Sequence, residues 1–296
     1  MDESKKFKVG FFLALISALF YALQVVVNKF IITAGVSARD QLVIVYSCST
    51  LVLFVVFLLQ RQKSGTDLFP EKRFRVPIII QGVVGCSFTS FFLFLAMERM
   101  TAGICSMLLY LCPIYVCIFF MATGIREISI YNKCAVVLAF VGAVLVLDIF
   151  GGELRWSATG LILGILSGLF YAFYSVHADL KLKEMPAMQM LFYMYLVAML
   201  AMWALNPGFL AHPPRITREL VPLELFAVFL QVMPLALINL SIRMIGSNKT
   251  TVIATMELPL TVLLAFIILG ERMVPLQILG IALTLTAVII IQVKKD

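Results

Sequence analysis

The scarcest feature of this 296-residue chain is charge, since Asp, Glu, Lys and Arg make up 13% of its residues. Soluble domains carry about 25%. Hydrophobic residues account for 62% of the chain. A chain of this composition cannot cover its surface with polar groups, so we expect lipid to surround most of it. A soluble globular domain is thereby excluded.

Side chains that carry chemistry are also scarce. His177 and His212 are the only histidines and lie far apart in the sequence. All six cysteines fall in the first half without zinc-ligand spacing, and we expect them to be small apolar core residues. No acid cluster, nucleophile motif or metal-ligand pattern appears. We therefore expect no enzyme activity, no metal and no cofactor.

Long uncharged segments dominate the sequence. Seven of them run for 18 to 26 residues without Asp, Glu, Lys or Arg, and a membrane-spanning helix needs about 20 apolar residues. Further spans fit at 130–149, 185–205 and 250–270. The first segment follows "KKFK" as a signal peptide would, but it is too long for one. The sequence predicts an all-α membrane protein with ten transmembrane helices.

One short sequence occurs twice, as "SALFYA" at 17–22 and as "SGLFYA" at 167–172. This repeat divides the ten predicted spans into two five-helix units, residues 1–149 and 155–296. Five is an odd number, so the second unit enters the membrane from the opposite side. The sequence therefore predicts two inverted repeats, an arrangement common in transporters that alternate between two open states.

The net charge of +7 has a simpler explanation than nucleic-acid binding. If the chain has ten spans and its N-terminus lies in the cytoplasm, 16 of the 23 Lys and Arg residues fall in cytoplasmic segments and 7 in segments on the other side of the membrane. Such a bias sets the orientation of a membrane protein. We expect a multi-pass protein of the cell membrane with both termini in the cytoplasm, in contact with lipid and not with nucleic acid.

Prolines occur at matching places in the two units. Pro113 precedes Gly124 by 11 residues, and Pro259 precedes Gly270 by the same number. The glycine is suited to end a helix, while the proline removes a helical hydrogen bond and frees a carbonyl. We expect helix bends at both prolines and at Pro234, either as packing kinks or as borders of a pathway.

These features together resemble the drug/metabolite transporter superfamily and, within it, the EamA-type transporter family. The resemblance rests on two five-span halves, on the proline-bearing fourth and ninth spans, and on "LGER" leading into "LQILGIALTLTAVIIIQ". It covers essentially the whole chain. Family members commonly carry an acid directly before the ninth-span proline, whereas here Glu257 lies two residues before Pro259.

The resemblance implies a carrier of small metabolites, often an exporter of amino acids or related compounds. It also implies a cavity between the halves, lined mainly by spans 1, 3, 4, 6, 8 and 9. A uniporter, a facilitator, a channel or a carrier of cationic or quaternary amine compounds remains an alternative. A scaffold or receptor would not need a polar stripe on both copies of a repeat.

Polar residues at helical spacing indicate which faces would line such a cavity. Positions three and four apart share one face of a helix, and a polar face inside a membrane needs a partner or water. We expect the repeated stripe of span 1 and span 6, with polar residues of spans 4, 8 and 9, to bind substrate: Ser17, Tyr21, Gln24, Asn28, Tyr110, Ser167, Tyr171, Tyr174, Gln231, Thr255 and Glu257. The polar residues Gln81 and Asn239 fit cross-links between helices, and His177 and Asp179 fit a solvated interface.

Glu257 is the one acid well inside a predicted span, seven residues from its start and about 10 Å deep. An ionised acid there costs about 2.5–3.5 kcal/mol. Two interpretations stay open. Glu257 is either a clip to Arg243 or Lys249, or a functional group that binds a proton or a cationic part of the substrate. The matching residue of the first half is Leu111, so the two copies differ chemically.

The predicted orientation can be tested with reporter fusions. A reporter that is active only in the cytoplasm should give a signal when fused after Asp296, because an even number of spans returns the chain to the side of its N-terminus. The same reporter fused at Gly152 or Phe209 should stay silent. A signal from either of those two fusions would overturn the orientation and the assignment of the halves.

Overall fold

The structure, a computed structural model, describes residues 3–65, 67–100, 105, 108–146, 157–212, 214, 218–260, 263–264 and 275–293. Regular structure in this part of the chain is helical throughout. The main helices are α1 Glu3–Thr33, α2 Ala38–Ser64, α3 Lys72–Met97, α4 Cys112–Thr123, α5 Ile130–Val146, α6 Ala158–Lys181, α7 Ala187–Leu205, α8 Val221–Ile245, α9 Ser247–Ala254 and α10 Pro275–Val293.

Six of these helices, α1, α2, α3, α6, α7 and α8, are long and apolar enough to cross a membrane. Three shorter apolar helices, α4, α5 and α10, accompany them. The expected ninth span begins with α9, and Glu257–Leu260 is again helical. Residues 261–262 and 265–274, including Gly270, lie outside the described residues. The all-helical class is confirmed, while the count of ten spans stays a prediction.

The outer surface of the helices is apolar. Leu51 of α2, Val76 of α3 and Leu225 of α8 are 65%, 64% and 67% exposed. Large apolar patches on a protein surface mark contact with another apolar phase. With helices of this length, that phase is the hydrocarbon core of a bilayer.

Local sequence explains where several helices begin and end. The Ser37 hydroxyl caps α2 by accepting a hydrogen bond from the Asp40 amide at 3.2 Å. Gly65 ends α2 and Gly124 ends α4, each with a φ of 64°, a conformation that residues with a Cβ rarely adopt. The prediction that Gly124 is a helix C-cap is confirmed.

Four pairs of helices make the most extensive contacts. α1 packs along α8, α3 along α6, α2 along α7, and α5 along α10. A π-helical segment, Gln81–Ser87, interrupts α3 where this helix packs against α6 and α7. Most of the large buried side chains form one cluster between α2, α3, α6, α7 and α8, so the centre of the bundle lies among these helices.

Two expectations about individual residues are wrong. Asp179 is not a solvated interfacial group, because only 3% of it is exposed and it takes part in an ion pair with Arg126. Cys48 and Cys134 are not core residues but lie exposed on the helix surface. A thiol is a small apolar group and is as compatible with lipid as with a protein core. The other four cysteines are buried as expected.

The α5–α10 contact gives a prediction about stability. A Cβ added at Gly142 would lie 2.8 Å from the carbonyl oxygen of Gly280 and 2.8 Å from the amide nitrogen of Thr284. Backbone atoms cannot move aside as a flexible side chain can. Gly142→Ala should therefore destabilise the protein by about 1–3 kcal/mol, as overpacking does, and should lower the temperature of thermal unfolding in detergent.

Gly208 is the matched control, since nothing lies within 4 Å of its added Cβ. Gly208→Ala should leave the unfolding temperature unchanged. If Gly142→Ala unfolds at the wild-type temperature too, then α5 and α10 do not pack as closely as described.

Candidate functional site

Two tight turns interrupt the helical path near the middle of the bundle. Tyr110 and Leu111 form a turn just before Pro113, and Thr255 and Met256 form another just before Pro259. In the first turn the Leu111 amide donates to the Leu108 carbonyl at 3.2 Å, and in the second the Met256 amide donates to the Ile253 carbonyl at 3.1 Å. These bonds join residues three apart, which tightens the backbone relative to an α-helix.

The two turns bring a phenol and a carboxylate together. The Tyr110 hydroxyl donates a hydrogen bond to Oε2 of Glu257. Tyr110 is 3% exposed and Glu257 is 8% exposed, so the pair lies inside the protein. A hydrogen bond from a neutral donor stabilises a carboxylate without neutralising it, and the acid therefore keeps the ability to take up a proton.

Four more tyrosines lie around this pair, and together with Tyr110 we call them the central tyrosine cluster. Tyr171 and Tyr174 of α6 stack with ring centroids 6.1 Å apart. Tyr21 of α1 lies near both of these tyrosines. It also lies near Tyr195 and Glu257. The members are Tyr21, Tyr110, Tyr171, Tyr174 and Tyr195. Tyr174 and Tyr195 are buried, whereas Tyr21 and Tyr171 are half-buried although they pack against the central core.

Amide side chains extend the cluster into α1 and α8. Nε2 of Gln24 donates to Oε1 of Gln231, and the Tyr195 hydroxyl donates to the Gln231 carbonyl at 2.7 Å. Asn239 donates to the Tyr174 hydroxyl and to the Leu235 carbonyl at 2.8 Å. Hydroxyl, amide and carboxyl groups thus lie among aromatic rings. Such a lining suits a solute with an apolar body and a few polar groups.

Three further candidates from the sequence, Ser17, Ser167 and Thr255, donate hydrogen bonds to backbone carbonyls. The Ser17 hydroxyl donates to the Pro234 carbonyl at 2.8 Å and ties α1 to α8. Ser167 and Thr255 donate to carbonyls of their own chain segments, those of Gly164 and Val252, each at 2.7 Å. These three hydroxyls therefore satisfy backbone carbonyls, and their place in a substrate site stays a prediction.

Asn28 continues the polar stripe of α1 beyond Gln24. It is half-buried, and its Oδ1 has no hydrogen-bond partner within the described part of the chain. Pro234 differs from the other two prolines, because α8 runs through it from Val221 to Ile245 without a break. Its own carbonyl accepts the hydrogen bond from Ser17.

The two cations considered for a clip to Glu257 make other contacts. Arg243 donates to the Met185 carbonyl at 2.5 Å and to the Leu182 carbonyl at 3.3 Å. The Lys249 ammonium lies 5.6 Å from the centre of the Phe7 ring. Glu257 accepts a hydrogen bond from Tyr110, and the interpretation of Glu257 as a clip to one of these cations stays a prediction.

The sequence analysis missed Tyr46 and Tyr195. Their rings lie 5.5 Å apart, and Tyr46 also hydrogen-bonds Ser90 at 2.8 Å. A signal was present, because each tyrosine is the ninth residue of its helix, counted from Ala38 in α2 and from Ala187 in α7. The helix-to-helix roles expected for Gln81 and Asn239 are confirmed, since Gln81 donates to the Tyr174 carbonyl at 3.1 Å.

Metal binding finds no support within the described ranges, which contain no group of three or more His, Cys, Asp or Glu side chains that could hold an ion. The central tyrosine cluster and Glu257 offer hydrogen-bonding groups, aromatic rings and a carboxyl group.

Residues 8–148 and 158–293 match the profile of the EamA-like transporter family. Since these two segments make up most of the sequence, the chain belongs to that family. It is a multi-pass membrane protein of the transporter class.

A curated relative and a solved structure are similar to this chain. An uncharacterized transporter of Synechocystis sp. is 24% identical over 228 residues, which cover 73% of this chain and 68% of the relative. A protein of known crystal structure is 16% identical and covers 99% of both chains with a TM-score of 0.78. At that level of identity the second match supports the fold alone.

Proposed function

We propose that this protein is a carrier that moves a small organic metabolite, amino-acid-like or related, by alternating access, and that the central tyrosine cluster with Glu257 is its substrate site. One observation carries the proposal. Tyr21 and Tyr110 come from residues 1–149, whereas Tyr171 and Glu257 come from residues 155–296, and all four belong to one inner cluster. A site shared by two halves changes its access when the halves move relative to each other.

The helix pairs support an inverted repeat of two five-helix units. A twofold rotation that superposes one five-helix unit on the other would place α1 on α6, α2 on α7, α3 on α8 and α5 on α10. The α1–α8 pair then becomes the α6–α3 pair, while the α2–α7 and α5–α10 pairs each map onto themselves. The four most extensive helix contacts are therefore the set that a twofold axis between the halves would produce.

Tyr46 and Tyr195 support the same axis. They occupy equivalent positions of α2 and α7, and their rings touch at 5.5 Å. Equivalent residues of two related units meet only at the axis that relates them. The axis would then pass beside the central tyrosine cluster, which already includes Tyr195.

The chemistry of the site limits the substrate class. Tyrosine faces bind apolar or cationic groups, and the amides and hydroxyls bind polar ones. The carboxyl group of Glu257 fits either a coupling proton or the ammonium group of a substrate. The first form of the proposal is proton-linked export, in which Glu257 binds the coupling proton. The second is a carrier of cationic amines, in which Glu257 binds the ammonium group. Both forms place the protein in the cell membrane with its termini in the cytoplasm.

Counterflow in proteoliposomes tests the carrier mechanism. Vesicles preloaded with amino acids, nucleobases or quaternary amines should transiently accumulate the labelled form of at least one of them, with saturation. Tyr21→Ala and Tyr171→Ala should each reduce this flux about 5–30-fold, the effect of about 1–2 kcal/mol. A channel would give flux without counterflow or saturation and would exclude the carrier.

Leu19 and Leu169 supply the matched controls. They lie two residues before the two tyrosines and are 37% and 47% exposed on the outer face. Leu19→Ala and Leu169→Ala should leave flux per folded molecule near the wild-type value. Normal flux in both tyrosine variants would show that Tyr21 and Tyr171 only pack between helices and do not bind substrate.

Glu257→Gln separates the two roles of the carboxyl group, because glutamine keeps the shape and fixes the neutral state. With proton coupling, the variant should still exchange substrate but should no longer respond to an imposed pH gradient. With a cationic substrate, binding itself should fall. Normal transport by this variant at every pH tested would contradict both roles.

A further inference from the structure

Asp179, near the C-terminal end of α6, is a buried carboxylate with partners on several segments. Its side chain is 0% exposed. Oδ2 accepts hydrogen bonds from the Ser247 amide and the Ser247 hydroxyl, each at 3.0 Å, and from Nη1 of Arg126 at 3.0 Å. Nζ of Lys183 lies 3.8 Å from Oδ1. One carboxylate thus joins the end of α6, the start of α9 and the segment that follows α4.

The ion pair with Arg126 connects the two sequence halves. Arg126 follows α4 in the first half, whereas Asp179 and Ser247 belong to the second. The other ion pair between the halves in the described chain, Arg73 with Glu184 at 2.8 Å, lies at the same end of the bundle but is exposed, with 58% and 73% of the side chains accessible.

The opposite end of the bundle is held differently. There the contacts between the halves use uncharged donors, since Gln41 donates to Glu224 at 3.0 Å and Asn206 donates to Asp40 at 2.8 Å. Among the described residues, the pair of Asp179 and Arg126 is the charge-to-charge contact between the halves in which one carboxylate is fully buried, while 40% of the Arg126 side chain is exposed. Breaking it is costly on the Asp179 side, because a buried charge must then find water or another partner.

A pocket of about 550 Å³ lies at the Asp179 end and is lined by residues from both halves. Arg73 and Phe74 of α3 form one wall, and His177 and Asp179 of α6 form another. His177 hydrogen-bonds Oε1 of Gln81 at 2.8 Å, and Nε2 of Gln81 donates to the carbonyl of Tyr174 in the central tyrosine cluster. Polar contacts thus lead from the pocket to the site.

We propose that Asp179 is a positioning residue that closes this end of the carrier, and that its bond to Arg126 must break before the pocket connects with the central tyrosine cluster. The proposal rests on the carrier function proposed above. Breaking the bond frees the end of α4 from the end of α6, so the seam between these two helices opens first.

Cys112 is a reporter already placed in that seam. It is 0% exposed and packs in one cluster with Val116 and Phe120 of α4 and with Ala172 and Val176 of α6. In a protein whose other five cysteines are replaced by alanine, its reaction with a water-soluble maleimide measures how often the seam opens. In nanodiscs both faces of the protein meet the reagent, so the result does not depend on orientation or on a known substrate.

Arg126→Gln removes the ion pair but leaves the Ser247 contacts of Asp179 in place. We expect it to raise the labelling rate of Cys112 by at least about tenfold, the change that about 1.4 kcal/mol produces. Asp179→Asn should raise the rate as well, and Arg126→Lys, which keeps the charge, should stay near the starting protein. Glu184→Gln is the matched control, because it removes the exposed ion pair at the same end and should change nothing.

Unchanged labelling in Arg126→Gln would overturn the proposal. An increase in Asp179→Asn would not rescue it, because that variant also weakens the contacts with Ser247 at the start of α9. Equal increases in Arg126→Gln and Glu184→Gln would also overturn it, because the burial of Asp179 would then have no special effect. If counterflow is absent for every solute, the carrier function fails independently of the labelling result.

Discussion

The hydrocarbon core of a bilayer cannot form hydrogen bonds, and the rest of this structure depends on that constraint. Each polar group inside the bundle has to find a partner in the protein or in an enclosed space. Gln24 therefore binds Gln231, and Tyr110 binds Glu257. The amide and carboxyl side chains reach partners on other helices, whereas small hydroxyls such as that of Ser167 bond a carbonyl of their own helix. The polar residues thus decide which helices meet, while the apolar majority decides only that they stay in the membrane.

The same constraint explains why the helices break where they do. Pro113 and Pro259 each lack an amide hydrogen, and the chain forms a tight turn just before each of them. A break on the lipid-facing surface would leave carbonyls without partners. At the centre of the bundle, side chains from other helices surround both turns. Both breaks consequently lie in the buried interior, where Tyr110 and Thr255 are 3% and 1% exposed.

Periodicity and composition were enough to predict the helical class and the position of Tyr21 and Tyr171 within one cluster of residues. They failed for Asp179, whose partners Arg126 and Ser247 lie 53 and 68 residues away in the sequence. A charge near a helix end looks the same in sequence whether water or a second helix covers it. Ser17 and Ser167 share the stripe of the tyrosines, but their hydroxyls bond the backbone carbonyls of Pro234 and Gly164. Only three-dimensional packing separates these cases.

The π-helical segment Gln81–Ser87 changes how α3 relates to its neighbours. A wider turn shifts the side chains that follow it by about 100°, the angle of one residue in an α-helix. Gln81 at its start reaches Tyr174 of α6, whereas Ser90 beyond its end reaches Tyr46 of α2. The number of residues in this short segment is therefore as restrictive as their identity, because a single insertion or deletion there would rotate every later contact of α3 away from its present partner.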